Sequence, residues 1–499
     1  MNKNSFLWAN MPQKSFLISS TPADAPPECR IRLDNGMYFI WQKNLSVTRI
    51  VGQKTGREAI LIGIAIQQDS TLPSPEKILQ EEELDCEKCI SSWGGRWFLY
   101  KDNNFYNDFF TACGVFYSAD AVSNCFSVLR SHTGAVCPDP RNFVRYGHGV
   151  DYIPGPETLL PNVKKLLPMQ RLVRKNGFFM AEFHPLKPLF TDAAPGEVID
   201  FAVDRVGTFL KACEKKYDTL WLPLSGGYDS RTVLAIALHA GVNLKAYTCI
   251  KPAIALPDNR YPDKICAEHG IEHLRLYRKK ERTDLPISRA KRFDEHTSSL
   301  CVERDREYFI YHQIPPDEGR SVAIGSVVWD TLHNLYMDKF PPDLDVNLPA
   351  EQVFSNFPET APQVLRLLEK YLEHVRANPL DNIPFFRRFY YEQRVGCWSS
   401  GIDNAWDMYP VDRLQPANSE HMAACILRLS ELFPQAYTGQ TALLKRIAPH
   451  LLRLPFNTPQ YSPIYRSCKK ILNNVRYLWC EDMYSHKCLS GLLHRSKCR

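Results

Sequence analysis

Up to about residue 180 the apolar runs are short and lack helical spacing. Residues 60–66 (ILIGIAI), 97–100 (WFLY), 105–110 and 115–117 (VFY) are apolar or aromatic, and Gly, Asp and Asn break them apart. Runs of this length and aromatic content predict the strands of an antiparallel, β-rich domain. Gly155-Pro156 and the stretch 185–196 punctuate its end. From 197 to 214 the rhythm changes. Val198, Phe201, Ala202, Val206, Phe209 and Leu210 fall on one helical face, which predicts an amphipathic helix leading into a second domain.

That second domain opens with an α/β signal. Residues 220–224 (LWLPL) read as a buried strand, followed by a glycine-rich turn and a helix over 230–240 closed by Gly241. A strand over 244–249 and a helix over 262–269 closed by Gly270 continue the pattern. Strand, helix, strand, helix in this rhythm predicts a parallel sheet. After residue 350 the pattern is mostly helical.

Length agrees with two domains, since 499 residues exceed one ordinary core. A composition of 44% hydrophobic and 23% charged residues is that of a globular protein. The formal charge of +6 is mild, and no apolar run approaches the roughly 20 residues that span a bilayer. The first 20 residues lack a continuous apolar core, so no signal peptide is expected. Sixteen irregularly spaced cysteines do not form a disulfide framework, which makes the cytoplasm the expected compartment. Cys86 and Cys89 have the spacing of half a zinc site, but neither a second such pair nor Cys480 and Cys488 completes it, and structural thiols are expected. Basic residues interleaved with Tyr477, Trp479 and Tyr484 crowd residues 461–499. This tail is read as a solvated face rather than a nucleic-acid or lipid patch, and no nucleic-acid partner is expected.

The turn SGGYDS (225–230) carries the chemistry. It lies at the carboxyl end of a strand and opens a helix. Gly226 and Gly227 let the backbone approach an anion, while the helix N-terminus supplies N–H groups and a favourable dipole. Ser225 and Ser230 add hydroxyls. Asp229 would repel bare phosphate, so its presence points to a bridging Mg²⁺. No Gly-Lys-Ser/Thr follows, which excludes a Walker A loop. A Ser/Asp-capped glycine turn is the bland reading, and the strand-to-helix context favours nucleotide over it.

SGGYDS resembles the pyrophosphate-binding loop of the PP-loop ATP pyrophosphatases, and PLSGGYDSRTVLAIAL resembles that of the asparagine synthetase group within them. Further similarity lies in Tyr152 to Thr158 with Leu167-Pro168, in Gly95 to Phe98 with Gly114 to Tyr117, and in Trp398 to Pro410 with Asp412-Arg413. Together these cover most of residues 50–460, although only the loop is strongly specific. The resemblance implies an α/β protein of two domains. Residues 1–195 would form a glutaminase-like (Ntn-type) β-sandwich. Residues 196–460 would form a Rossmann-like PP-loop (adenine nucleotide α-hydrolase) domain with a helical extension. It also implies ATP and Mg²⁺ as cofactors and adenylation of a small-molecule, peptide or glycan carboxylate as the chemistry.

Two departures matter. Glutamine-hydrolysing members carry a cysteine after the initiator methionine, whereas this chain has Asn2 and its first cysteine is Cys29. The N-terminal domain is therefore expected to be a scaffold without glutaminase activity, as in β-lactam synthetases and lasso-peptide cyclases. The family's second loop, Gly-Glu-Gly-Ser-Asp-Glu, corresponds here to Gly325 through Asp330, with Trp329 where an acid is expected. By resemblance, Ser225, Gly226, Gly227 and Ser230, entered from Leu224, hold the pyrophosphate, and Asp229 with Asp330 holds the metal. Thr248 marks where backbone groups contact adenine. Arg231 is a candidate for contacting phosphate or a substrate carboxylate, or for pairing with a surface acid. Lys445 is a candidate for stabilising charge in the reaction, or a surface lysine. Lone histidines such as His148 and His333 read as structural.

Overall fold

Residues 60–66 are apolar throughout because the strand they belong to is covered on both faces. In the computed structural model, β1 (Val47–Val51), β2 (Glu58–Gln67), β3 (Trp93–Lys101) and β4 (Asn104–Asn107) form an antiparallel sheet in that order. Successive side chains of a strand point to opposite faces. Ile60, Ile62, Phe98 and Tyr100 turn into a core shared with Phe16, Ile18 and Phe39 of a six-stranded sheet. Leu61 and Leu99 turn the other way, onto Ile78, Leu79 and Ile90. Two sheets therefore share one aromatic core, as the short β-like runs predict. β2 and β3 touch closely at Gly63 and Gly95. Both hold positive φ, 80° and 101°, and a Cβ on either would lie 2.3 Å from a carbonyl oxygen of the opposite strand.

The structure describes residues 8, 11–22, 24–135, 152–250, 256–277, 314, 320–333, 336, 337, 339–341, 343–357 and 362–456. Asn2, His148, Cys480, Cys488 and the basic tail lie outside these. Met1–Leu454 form one compact unit and a second begins at Pro455.

Helix α1 (Pro195–Lys216) fills the predicted amphipathic stretch. The parallel sheet follows, built from β5 (Thr219–Pro223), β6 (Lys245–Ile250), β7 (His273–Tyr277), β8 (Ser321–Ile324) and β9 (Asp412–Leu414). Its spatial order is β7-β6-β5-β8-β9, and every pairing is parallel. α2 (Tyr228–Ala240) links β5 to β6 and ends at Gly241 in the left-handed region. α3 (Leu256–His269) links β6 to β7 and starts six residues earlier than the sequence predicts, with Pro262 inside it. The described residues between 350 and 456 are mostly helical, including α4 (Glu420–Leu432) and α5 (Thr438–Ile447). The exception is β9, which reaches back to pair with β8. Among the described residues no helix is long and apolar enough to cross a membrane.

Buried polar contacts tie the residues before α1 to those after it. Arg96 makes a two-pronged pair with Asp407 at 3.1 and 3.0 Å, and Asn418 donates to Asp108 at 2.9 Å. Arg205 on α1 donates to Asp69 at 2.8 Å and to the Gln68 carbonyl at 3.2 Å. Burial raises the Asp69 carboxyl, but hydrogen bonds from Arg205 and Thr71 outweigh it and bring the value down to about 2. A carboxyl held below its unfolded value stabilises the fold above about pH 4, and this contribution fades as pH falls towards 2. Asp69→Asn should therefore cost on the order of 2 kcal/mol at pH 7. Equilibrium denaturation from pH 7 to 2.5 should show the gap between variant and wild type closing below pH 4.

Candidate functional site

Because β6 and β7 leave β5 on one side while β8 and β9 lie on the other, the sheet reverses its winding between β5 and β8. Ligands of open α/β sheets bind outside the carboxyl ends of the strands at such a point. The two sequence-predicted loops, 225–230 and 325–330, follow β5 and β8 and so meet there.

The first loop continues the sheet for one residue. The Leu224 N–H donates to the Tyr247 carbonyl at 2.9 Å, and Thr248 Oγ1 donates to the Leu224 carbonyl at 2.7 Å. Thr248 is buried and its hydroxyl also lies 2.8 Å from His273 Nε2, so its side chain fixes the entry to the turn. The next three N–H groups all find oxygen acceptors. Ser225 donates to Ser230 Oγ at 3.1 Å, Gly226 to Asp258 Oδ1 at 3.0 Å, and Gly227 to Ser225 Oγ at 3.1 Å. Gly227 caps α2, which places Asp229 and Ser230 in its first turn. The turn therefore already presents an N–H to a carboxylate oxygen, that of Asp258 on α3. This is the behaviour expected of an oxyanion-accepting nest.

The second loop brings its acid to the first. Asp229, Asp330 and His333 offer ligand atoms that all lie within 4.8 Å of one another. His333 Nδ1 lies 2.5 Å from Asp330 Oδ1, and Nε2 lies 3.3 Å from Asp229 Oδ1. The sequence reads His333 as structural, and the short helical turn over Val327–His333 swings it back between the two acids. Burial works against the imidazolium, yet the hydrogen bonds and charges of Asp229 and Asp330 raise His333 to about 10. Asp229 is raised above the usual carboxylate range, first by burial and also by the like charge of Asp330. Asp330 is lowered, because its bonds from His333 and Tyr390 outweigh burial.

Other residues join this cluster with no warning in the sequence. Gln440 on α5 donates to Asp229 Oδ1 at 3.2 Å and to the Trp329 carbonyl at 3.1 Å. The Tyr390 hydroxyl donates to Asp330 Oδ2. Tyr437 sits at positive φ, 66°, and its ring stacks on Tyr228 at 4.5 Å and meets His333 at 4.2 Å. Tyr390 opens a π-helical segment, Tyr390–Ser399, of the kind that often marks functional sites. Arg394 on the same segment lies 3.6 Å over the Trp398 ring, and its Nε is buried without a hydrogen-bond acceptor. Among the described residues no carboxylate pairs with it.

The fold bears on four residues that the sequence singles out. Arg231 does not lie open to solvent. It is fully buried and donates to the carbonyls of Leu451, Leu454 and Gly226 at 3.1, 2.7 and 3.2 Å, while burial lowers it to about 10. It positions the loop. Lys445 is exposed on α5, and five residues along a helix put it about 140° around from Gln440, the residue that does reach Asp229. Gly325 is required by packing, because a Cβ there would sit 2.2 Å from Gln415 Oε1. Trp329, standing where the family pattern has an acid, is fully buried and contributes only its carbonyl.

Elsewhere, Cys29 is buried and its thiol is raised by burial. Burial likewise pushes Cys86 up to about 12, and among the described residues no further ligand gathers around Cys86 and Cys89.

No family model matches the chain, and no curated protein matches it. Among solved structures it is similar to the structure of NMN synthetase from Francisella tularensis, with 17% identity. The match covers 54% of this chain and 100% of that one, at a TM-score of 0.20. A likeness that low carries no argument about fold or activity.

If Arg231 is a strut, its loss should appear as lost stability. Arg231→Met leaves buried carbonyls unsatisfied and should cost about 2–4 kcal/mol. Denaturant unfolding checks this, and an unchanged midpoint would return Arg231 to the list of ligand-contacting residues.

Proposed function

We propose that this chain is an ATP-dependent carbon–nitrogen ligase that adenylates a substrate carboxylate. The observation that carries this reading is the meeting, at the switch point of a parallel sheet, of a turn that offers an N–H to an oxyanion and a pair of acids, Asp229 and Asp330. The resemblance of SGGYDS to the pyrophosphate-binding loops supports it.

In this reading, N–H groups of Ser225, Gly226 and Gly227 and the hydroxyls of Ser225 and Ser230 exchange their internal acceptors for phosphate oxygens of ATP. Asp258 must then release Gly226. A substrate carboxylate oxygen attacks the α-phosphorus, the bond to the bridging oxygen breaks, and pyrophosphate leaves. An amine nitrogen attacks the acyl carbon, AMP departs with the C–O bonding pair, and the nitrogen loses a proton. Adenylation makes this possible because AMP is a far better leaving group than oxide. A divalent cation, implied by the resemblance as Mg²⁺, would be held by Asp229 and Asp330 and would neutralise phosphate charge. Arg394 would receive an anionic group of the substrate, a small molecule, peptide or glycan. Ammonia or an amine of the substrate would supply the nitrogen. Cytoplasmic ATP suits this chemistry.

A second reading, a non-catalytic ATP-binding scaffold, draws on the same geometry. Asp258 occupies the Gly226 N–H and His333 stands between the two acids, so the site is internally satisfied. An ammonia-using asparagine synthetase is the special case in which aspartate is the carboxylate.

ATP–pyrophosphate exchange, measured across a panel of carboxylates, separates these. Exchange with at least one substrate, falling by about 10²-fold or more in Asp229→Ala, is expected for the ligase. No exchange with any carboxylate favours the scaffold. Asparagine made from aspartate and ammonium identifies the synthetase.

A further inference from the structure

Given the oxyanion reading of the turn 225–230, on which this rests, we infer that the first turn of α3 is a proline-hinged plug. Asp258 holds the place of a phosphate oxygen at Gly226, and an incoming anion binds there by displacing the turn that carries it.

The contact itself is the first observation. Asp258 Oδ1 accepts the Gly226 N–H at 3.0 Å, and the residue is buried. A carboxylate oxygen and a phosphate oxygen make the same demand on a backbone N–H. They also carry like charge, and burial strengthens the repulsion between them. Both cannot sit at Gly226. The neighbouring N–H groups are different. Those of Ser225 and Gly227 donate to the hydroxyls of Ser230 and Ser225, which are neutral and can donate as well as accept. Of these three acceptors only Asp258 carries a charge that has to be withdrawn.

The hinge is the second observation. Asp258 lies near the start of α3, and Pro262 stands four residues beyond it inside the same helix. In an α-helix the N–H of residue 262 would donate to the carbonyl of residue 258. Proline has no N–H, so that bond cannot form, and its ring crowds the same carbonyl. The helix is therefore weakest where the turn bearing Asp258 joins the rest. Beyond Pro262, α3 is anchored. Asp263 Oδ1 lies 2.9 Å from His273 Nδ1 on β7, and Ile265 and Cys266 are buried. On the near side, the Tyr261 ring lies 5.9 Å from the Arg231 guanidinium, which donates to the Gly226 carbonyl at 3.2 Å. The turn thus meets Gly226 directly at its N–H and through Arg231 at its carbonyl.

The test uses the full-length protein, with pyrophosphate titrated by calorimetry at fixed Mg²⁺ and ionic strength. Asp258→Asn keeps the shape of the side chain without its charge and is expected to bind pyrophosphate at least about fivefold more tightly than wild type. Removing a like charge would do this without any movement, and two further measurements separate that case from the plug. Pro262→Ala restores the helical bond to the Asp258 carbonyl and stiffens the turn, so it should weaken pyrophosphate by about threefold or more, whereas charge alone predicts no change. In the wild type, deuterium uptake by the amides between Leu256 and Pro262 should rise when pyrophosphate binds, because the turn loses its contact. Wild-type affinity in either variant, uptake that stays level or falls, or no binding of pyrophosphate by any of the three proteins would overturn the proposal. The uptake measurement needs no variant and so survives a folding defect of either substitution. If pyrophosphate behaves as expected while no carboxylate supports ATP–pyrophosphate exchange, the ligase reading fails and the plug remains.

Discussion

Two carboxylates facing each other across the mouth of a sheet repel, and the repulsion grows where water is scarce. Asp229 and Asp330 are in that position, and the site depends on the positive charge that reconciles them. His333 supplies it. The imidazole draws its charge from both acids, which is why it is raised so far, and the strain of the pairing falls unequally on them. Burial and the charge of Asp330 push Asp229 up, and among the described residues only His333 and Gln440 offset them, whereas Asp330 also has the Tyr390 hydroxyl and is pulled down. Any cation that enters from solution must compete with this internal one.

The parallel sheet creates that problem and also makes it useful. β5 and β8 pair directly, Thr219 with Ser321 through Trp221 with Ala323, so their outgoing loops cannot avoid one another. Gly325 lets Gln415 pack beneath the second loop, and Arg231 ties the first loop to the carbonyls of Leu451 and Leu454. Both contacts brace the loops where they meet. Pairs such as Arg96 with Asp407 extend the same rigidity towards the N-terminal sheets.

What was legible in the sequence follows from how local each signal is. The strand–glycine turn–helix around Gly226 is encoded within about twenty residues, and the fold reproduces it almost residue for residue. The amphipathic face of α1 and the double-sided apolar run of β2 are equally local. His333, Gln440, Tyr390 and Asp258 are not. Each reaches the site from a different element, up to 211 positions away in the case of Gln440 and Asp229, and no spacing rule connects them. Lys445 shows the limit of such rules, because the sequence leaves it between a reacting group and a surface lysine and only the fold shows it exposed, about 140° around α5 from Gln440. Arg231 shows another: its burial and its carbonyl partners are long-range facts that no local pattern carries.

The balance of charge around the cluster carries one more consequence. Asp229, Asp330 and His333 leave the cluster short of positive charge, and Asp258 adds a further acid at Gly226. Arg394 lies beside Tyr390 and Asp330 with no carboxylate partner among the described residues, and the negative potential of Asp330 is among the influences holding its guanidinium charged. The surplus negative charge of the cluster and the Trp398 ring, 3.6 Å away, both favour the charged guanidinium. Arg394 is thus the cation that balances the cluster's remaining negative charge, and the site holds its acids between an internal imidazole on one side and a guanidinium on the other.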